Sequence, residues 1–302
     1  MPNKLNSINP FLDRYFELGE IKLHYVEGGK PVGTAPTIIF YHGFPSFWYS
    51  FHLQMEAFAK DYHVVAVDGL GANLSSRPDD LAHYKVDRLA LQLDQLARHV
   101  AGDNKFYLVG HDWGGALSWA YAQNYPERLH KLVVLSAPAY NQLLALLESN
   151  TEQQKRSNYM FTMRDGEIHR AMTNNNNQQV SDNICNSLRH LDHFSEESEQ
   201  IFRRGLGTPG AVNAGINWYR ANIPLPKSIT DDDFWPSREA RTSVPSLLIW
   251  GESDQTFVPE FIEGLSKYAE HLDVLRLANT GHSPMLEKPA EVNQALSSFL
   301  KR

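Results

Sequence analysis

Residues 105–115 read KFYLVGHDWGG, an apolar strand pattern followed at once by a glycine-rich turn. The order small-x-nucleophile-x-small-small is typical of a sharp strand-to-helix turn that lifts its central residue above a sheet. Glycines at positions 110, 114 and 115 fit this turn because the backbone and the helix pass too close there for a Cβ atom. The central residue, Asp112, is therefore predicted to stand above the sheet as a nucleophile.

A carboxylate at this position narrows the chemistry. A serine in the same turn forms acyl-enzymes from esters, whereas an aspartate displaces a leaving group at sp3 carbon and is released by hydrolysis at its own carbonyl. Residues 112–115 contain no hydroxyl, and Ser118 falls within the following helix, so a serine esterase is disfavoured. Epoxides and alkyl halides are the substrates that suit Asp112.

Apolar runs on both sides of this turn predict a mostly parallel sheet. The runs are continuous, as expected of strands that are covered on both faces. They begin at Thr37, His63, Lys105, Lys131, Ser246 and Asp273. Helical spacing separates them at 86–100, 116–124, 259–269 and 289–300, and an antiparallel hairpin is predicted over 15–26. The predicted fold class is α/β.

The alternation of strand and helix stops in the middle of the chain. Residues 139–242 are polar, with several helical patches and the asparagine-rich run 174–177, which is predicted to be a solvated loop. An insertion at this point of an α/β fold lies over the carboxyl edge of the sheet, where ligands bind. We therefore predict a core domain of residues 1–138 and 243–302 and a helical lid of residues 139–242.

Composition excludes several classes of function. The 302 residues are 42% hydrophobic and 21% charged, with a net charge of -7, which leaves no basic surface for nucleic acid. No apolar run approaches the roughly 20 residues that span a bilayer, and the polar start lacks a signal-peptide core, so we predict a cytoplasmic protein without a membrane partner. The single Cys185 excludes an internal disulfide and a cysteine zinc site. No metal or cofactor is predicted, and a homodimer is left open.

Two further segments complete a nucleophile-acid-histidine order. Asp254 follows the strand that ends at Trp250, and His282 follows the last strand. This is the chain order of α/β-hydrolase triads, and all three residues should meet at one edge of the sheet. His282 is expected to stay neutral near pH 7 as a general base, with Asp254 fixing its tautomer. Ser136 stands at the alternative position for the acid, which favours Asp254.

The segment 42–45, His-Gly-Phe-Pro, follows another predicted strand. The backbone N–H groups of Phe44 and Trp113 are predicted to form an oxyanion hole. His42 and His111 are predicted to brace their loops rather than to take part in the chemistry. The aromatic rings of Phe44, Trp113 and Trp218 indicate an apolar substrate pocket.

Together these segments resemble the epoxide hydrolase branch of the α/β-hydrolase superfamily, from about Tyr25 to the C-terminus. The matching stretches are His42-Gly-Phe-Pro, Asp68-Gly-Leu-Gly-Ala-Asn-Leu-Ser-Ser-Arg-Pro78, Gly110-His-Asp-Trp-Gly-Gly, Asn217-Trp-Tyr-Arg220, Gly251-Glu-Ser-Asp254 and Gly281-His282. The resemblance implies the α/β-hydrolase fold with a helical cap. It also implies that Asp112 opens an epoxide and that water activated by His282 and Asp254 hydrolyses the resulting ester to a vicinal diol.

In that family the lid supplies two tyrosines that hold the epoxide oxygen. Tyr219 matches the second of them. Tyr159 is the candidate for the first, although residues 159–166 lack the Gln and Pro of the family segment, and Tyr140 is the alternative. A phenol that is protonated at neutral pH, with a reference pKa of roughly 10, suits the protonation of an opening ring.

Two alternative functions stay open. Dehalogenases of this fold share the aspartate nucleophile, but the haloalkane enzymes usually carry Asn or Glu where Phe44 stands. Fluoroacetate dehalogenases carry arginines at the positions of Trp113 and Ala116. A non-catalytic ligand-binding protein of the same fold would show a broken triad or a lost oxyanion turn, and neither is present. The size and stereochemistry of the epoxide and the attacked carbon stay open as well.

Overall fold

The computed structural model describes residues 11–164 and 166–302. The first ten residues of the predicted core domain lie outside these residues. They include the polar segment from which the absence of a signal peptide was predicted. Within them, one sheet has the strand order β1-β2-β4-β3-β5-β6-β7-β8. The strands are β1 (Leu12–Leu18), β2 (Ile21–Gly29), β3 (Thr37–Tyr41), β4 (His63–Val67), β5 (Phe106–His111), β6 (Leu129–Leu135), β7 (Ser246–Gly251) and β8 (Leu272–Leu277).

Helices cover the sheet and fill the segment between β6 and β7. The helices before and after that segment are α1 (His52–Phe58), α2 (Val86–Ala101), α3 (Trp113–Asn124), α11 (Glu260–Gly264), α12 (Pro284–Glu287) and α13 (Pro289–Lys301). Those within it are α4 (Tyr140–Ser149), α5 (Thr151–Arg156), α6 (Asn158–Thr162), α7 (Gly166–Thr173), α8 (Gln178–Leu188), α9 (Glu196–Leu206) and α10 (Ala211–Asn222). The predicted lid is therefore helical in the residues that the structure describes.

The sheet combines an antiparallel hairpin with six parallel strands. β1 pairs with β2 and β2 pairs with β4 in antiparallel register, and Gly19 between the first two strands has a φ of +60°. From β4 through β3 to β8 every pairing is parallel. The carboxyl ends of β5, β6, β7 and β8 consequently lie side by side at one edge, which is where the candidate triad residues follow.

Three local features of the structure were not predicted from the sequence. β8 is not covered on both faces, because it is the edge strand, and Val274 is 41% exposed. The helix predicted over 259–269 divides into α11 and a short 3-10 turn at Leu265–Lys267, and Gly264, a poor helix former, stands at the division. A helical stretch that the sequence did not indicate runs from a 3-10 turn at Trp48–Phe51 into α1.

The asparagine-rich run is only partly a solvated loop. Asn174 and Asn175 are exposed, but Asn177 is buried. Its side-chain amide donates to the carbonyl oxygens of Leu206 at 2.9 Å and Thr208 at 3.2 Å. Asn177 therefore braces the lid, because a buried amide that satisfies two carbonyl groups replaces hydrogen bonds they would otherwise make to water.

A buried histidine, His24, lies in β2, the second strand of the hairpin. Nδ1 of His24 is 2.6 Å from Oδ2 of the buried Asp68, and Nε2 is 3.1 Å from Oδ1 of Asp13. Burial lowers the pKa of His24, but the hydrogen bonds and charges of the two carboxylates outweigh it and raise the pKa to about 9. His24 is therefore a buried cation at neutral pH.

This cation should make stability depend on pH. The pKa of His24 is about 6.5 in the unfolded chain and about 9 in the folded protein. Its contribution to the free energy of unfolding is therefore complete below pH 6.5 and is lost as the pH rises through 9. We expect a His24→Asn variant to lose roughly 2–3 kcal/mol of unfolding free energy at pH 6, and the deficit to shrink toward pH 10. Urea unfolding of both proteins across this range measures the difference; a deficit that stays constant would contradict the assignment.

Candidate active site

Asp112 occupies a strained turn between β5 and α3. Its φ is +53° and its ψ is -123°, a backbone conformation that L-residues rarely adopt. Neighbouring glycines make the turn possible: a Cβ at Gly43 would lie 2.1 Å from Oδ1 of Asp112, and one at Gly114 would lie 2.2 Å from the carbonyl oxygen of Tyr41. Asp112 is buried, with 6% of its surface exposed. The turn thus presents a carboxylate to an enclosed space.

The two carboxylate oxygens of Asp112 have different partners. Oδ1 accepts a hydrogen bond from the backbone N–H of Phe44 at 2.7 Å, and Oδ2 lies 3.3 Å from Nε2 of His282. Burial raises the pKa of Asp112, but the hydrogen bond and charge of His282 outweigh burial, and the backbone N–H of Trp113 also lowers it. The net pKa lies below the usual value, so Asp112 is ionised. Both N–H groups of the predicted oxyanion hole already act on this carboxylate.

His282 lies between two carboxylates. Its Nδ1 is 2.7 Å from Oδ2 of Asp254, while Oδ1 of Asp254 accepts the backbone N–H of Thr256 at 2.7 Å. Burial lowers the pKa of His282, but the hydrogen bonds to Asp112 and Asp254 and their charges outweigh it and raise the pKa to about 10. The expectation of a neutral histidine near pH 7 is therefore wrong for the unliganded protein, in which two anions hold His282 as a cation.

Both histidines that were predicted to brace loops make bonds of that kind. Nε2 of His111 donates to the carbonyl oxygen of His282 at 2.7 Å. In His42, Nε2 accepts from the backbone N–H of Gly69 at 2.9 Å, and Nδ1 donates to the carbonyl oxygen of Gly43 at 2.7 Å. Glu287 was not among the predicted site residues, and its carboxylate accepts the backbone N–H groups of Gly281 at 2.6 Å and Ser283 at 2.9 Å. Glu287 thereby fixes the loop that carries His282.

Two tyrosines of the predicted lid face Asp112. The buried ring of Tyr219, on α10, lies edge to face with Trp113 at 5.1 Å and with Phe44 at 5.5 Å between ring centroids. The ring of Tyr159, on α6, lies 6.4 Å from that of Tyr219, although the residue as a whole keeps 37% of its surface exposed. Burial raises the pKa of both phenols well above 10, and the negative charge of Asp112 raises both further. Both hydroxyls are therefore protonated donors.

Tyr140, the alternative to Tyr159, is engaged elsewhere. Its hydroxyl donates to the carbonyl oxygens of Asn222 at 3.0 Å and Asp233 at 3.2 Å. These bonds hold α4 against the end of α10 and the turn beyond it. The interaction between Tyr159 and Tyr219 selects Tyr159 as the tyrosine that is near the carboxylate.

Two cavities lie beside the Asp112 turn and share Trp113 as a wall. The smaller one is lined by Asp112, Trp113, Ala116, Ala137, Pro138, Leu143, Met160, Tyr219 and Phe257. The larger one lies on the side of Phe44 and also contacts Leu206, Val212 and Trp218. The indole N–H of Trp218 donates to the carbonyl oxygen of Leu70 at 2.8 Å, so its polar atom is already engaged. These linings suit an apolar ligand.

Some of these residues carried no recognisable signal in the sequence. Met160, Leu143 and Phe257 line the smaller cavity through tertiary packing, without a motif. Among residues 11–164 and 166–302, no group of three or more His, Cys, Asp or Glu side chains is placed to hold a metal ion. In the same residues, none of the helices has the length and apolar character needed to cross a membrane.

Comparison with known proteins gives relatives over nearly the whole chain. Residues 36–289 match the family described as the alpha/beta hydrolase fold. Human epoxide hydrolase 4 is 30% identical over an alignment of 296 positions, which covers 93% of this chain and 76% of that protein. The crystal structure of an epoxide hydrolase from Bacillus megaterium in complex with an inhibitor has a TM-score of 0.85 at 30% identity, and the match covers 96% of this chain and 100% of that one.

A variant of the same bacterial enzyme, complexed with its naphthyloxy-propanediol product, gives the same TM-score of 0.85 at 30% identity and the same coverage of 96% and 100%.

Proposed function

Because the chain belongs to the α/β-hydrolase fold family, within its epoxide hydrolase branch, we propose that it hydrolyses epoxides to vicinal diols through an ester on Asp112. The observation that carries this proposal is the pair of protonated phenols, Tyr159 and Tyr219, that face an ionised carboxylate. A bound diol product in a structural neighbour supports the same reaction. The apolar linings of both cavities favour an apolar epoxide.

In the first step Oδ2 of Asp112 attacks an epoxide carbon, and the bond from that carbon to the ring oxygen breaks. Oδ1 accepts the N–H of Phe44 at 2.7 Å, whereas Oδ2 has the longer contact of 3.3 Å with Nε2 of His282, so Oδ2 is the nucleophile. The hydroxyls of Tyr159 and Tyr219 hold the developing alkoxide and supply its proton. An ester of Asp112 with a neighbouring hydroxyl group results.

Ester formation also changes the state of His282. The charge of Asp112, which helps to raise the pKa of His282 to about 10, disappears when the carboxylate becomes an ester. His282 then gives its proton to the phenolate that remains after a phenol has protonated the opened oxygen. This transfer neutralises both the imidazolium and the phenolate. His282 becomes the neutral base that the second step requires, and Asp254 keeps it oriented.

In the second step His282 removes a proton from a water molecule that attacks the carbonyl carbon of the ester. The tetrahedral oxyanion forms on Oδ1, where the backbone N–H groups of Phe44 and Trp113 stabilise it. Collapse breaks the ester bond, releases the diol and returns Asp112 as an anion beside protonated His282. Residues 139–242, as a lid, supply the phenols and exclude bulk water.

The side chains around the leaving group favour an epoxide over a halide. A departing halide needs polar hydrogens and no proton transfer, yet Phe44 presents a ring that packs against Tyr219. Trp113 and Ala116, at the positions of the fluoroacetate dehalogenase arginines, offer no cation for a carboxylate. The two phenols supply the proton that only ring opening requires.

Substitution of the phenols tests this assignment. With styrene oxide, we expect Tyr219→Phe or Tyr159→Phe to lower kcat/KM at least about 10-fold, and the double variant to lower it about 10²- to 10⁴-fold, because a general acid is lost. Tyr140→Phe is the matched control and should keep most of the activity. Diol formation is measured beside halide release from chlorobutane and fluoroacetate. Halide release without diol would favour a dehalogenase, and an active double variant would remove the role of the phenols.

A further inference from the structure

A buried amide of the predicted lid contacts the loop of the triad acid. Gln153, on α5, has no exposed surface. Its Oε1 accepts the backbone N–H of Val258 at 2.9 Å, and its Nε2 donates to the carbonyl oxygen of Thr256 at 3.2 Å and to Oγ of Ser157 at 2.8 Å. The amide therefore bonds both to residues 254–258, which we name the acid loop, and to the start of the helix that carries Tyr159.

A second lid side chain strengthens the same connection. Nη1 of Arg156, one helical turn beyond Gln153, donates to the carbonyl oxygen of Phe257 at 2.8 Å. Three consecutive residues of the acid loop, 256–258, are thus hydrogen-bonded to α5 through their backbones. Phe257 also lines the cavity next to Asp112.

The acid loop in turn sets the position of the triad acid. The backbone N–H of Thr256 donates to Oδ1 of Asp254 at 2.7 Å, and the other oxygen of Asp254 lies 2.7 Å from Nδ1 of His282. Oγ1 of Thr256 lies 3.4 Å from the same nitrogen. A displacement of Thr256 would therefore move both contacts of the imidazole on its Nδ1 side.

We propose that Gln153 is a positioning residue that fixes the Asp254–His282 pair and the helix of Tyr159 in one relative arrangement. The part that concerns Tyr159 rests on the proposed function, whereas the effect on His282 does not. Gln153 contacts neither substrate nor reacting atoms in this arrangement; it acts through the acid loop. The two halves of the reaction, ring opening at the lid and ester hydrolysis at the sheet edge, would share this single amide.

Only an amide of this length bonds to both the N–H of Val258 and the carbonyl oxygen of Thr256. A glutamine supplies a donor for a carbonyl group and a strong acceptor for an N–H group, whereas methionine has nearly the same shape, no donor and only a weak sulfur acceptor. In Gln153→Met the buried N–H of Val258 and carbonyl of Thr256 lose their partner, and buried polar groups without a partner are costly enough to make a loop rearrange. We expect the acid loop to move and Asp254 to move with it.

Movement of Asp254 should be visible in the titration of His282. The groups that face this imidazole are Asp112, Asp254 and the ring of His111, which lies 5.0 Å away and whose pKa burial lowers to about 4. Asp254 raises the pKa of His282, so a looser contact lowers that pKa. The ester intermediate is hydrolysed only while His282 is neutral, so kcat falls at pH values below the pKa of His282. A lower pKa should therefore move this acidic limb of the kcat profile to lower pH.

The experiment compares Gln153→Met with Gln142→Met in the full chain. Gln142 is also a buried lid glutamine, and its Nε2 donates to the carbonyl oxygen of Phe261 at 2.6 Å, beyond the acid loop. NMR titration of the free proteins gives the pKa of His282 without any substrate. Turnover of styrene oxide gives kcat, KM and their pH profiles.

We expect Gln153→Met to lower the pKa of His282, to move the acidic limb in the same direction and to reduce kcat about 10- to 100-fold with a smaller change in KM. Gln142→Met should leave the pKa and the limb in place. If Gln153→Met does not fold, Arg156→Met takes its place in the test. We expect it to change the pKa of His282, the acidic limb and kcat in the same directions by smaller amounts. An unmoved His282 titration in the folded variant would overturn the proposal. A shifted titration in a protein that does not hydrolyse epoxides would instead refute the proposed function and leave the role of Gln153 standing.

Discussion

Asp112→Ala is expected to abolish epoxide turnover, with kcat/KM lowered by about 10⁴- to 10⁶-fold, because no other group can form the ester. The substitution removes the nucleophile and also the anion that helps to hold His282 protonated. Diol formation from styrene oxide measures the loss. Far-ultraviolet circular dichroism of the variant serves as the control for folding, and substantial residual turnover would mean that water attacks the epoxide directly.

Isotope incorporation tests the same ester from its product side. In one turnover in oxygen-18 water, the first diol takes its new oxygen from the carboxylate, so the label should enter Asp112. Mass spectrometry of the peptide that contains residue 112 detects it. Label that appears only in the first diol would contradict the covalent scheme.

His282→Gln is expected to stop the cycle after ring opening. The variant keeps Asp112 and both phenols, so the ester should still form, while its hydrolysis slows by about 10³- to 10⁴-fold without a general base. Loss of the imidazolium beside Asp112 also raises the pKa of that carboxyl group, so ester formation should weaken at low pH. Intact mass after mixing with styrene oxide measures the ester.

The matched control for this variant is His42→Gln, which replaces a buried histidine whose ring nitrogens bond to the backbones of Gly43 and Gly69. We expect no accumulated ester there. Free turnover by His282→Gln would show that the base lies elsewhere, and failure to form any ester would show that His282 is already required for ring opening.

Most of the sheet could be predicted because its strands carry their own signal. Thr37–Tyr41 and His63–Val67 begin and end where the apolar runs do, since strands that are buried on both faces are uniformly apolar. The predicted α/β-hydrolase fold class is confirmed by the sheet order and the family match. The exposure of β8 was not predictable from its own residues, because being an edge strand depends on the whole sheet.

The candidate site was likewise predictable only in part. Asp112, Asp254 and His282 each follow a strand, and parallel strands bring their carboxyl ends together, so sequence position alone predicted the hydrogen-bonded chain that the structure contains. Tyr159 was harder to choose over Tyr140, because the packing of lid helices sets which phenol faces the carboxylate. The charge state of His282 was predicted wrongly because it depends on two carboxylates at once.

The hydrogen bond from Phe44 to Oδ1 prevents free rotation of the Asp112 carboxylate. In the proposed cycle the attacking oxygen, Oδ2, leaves with each diol and is replaced by the oxygen of a water molecule. Oδ1 remains in place through every cycle, since the backbone N–H of Phe44 holds it as carboxylate, as ester carbonyl and as oxyanion. Asp112 therefore has one permanent oxygen, inherited from protein synthesis, and one that is renewed at every turnover.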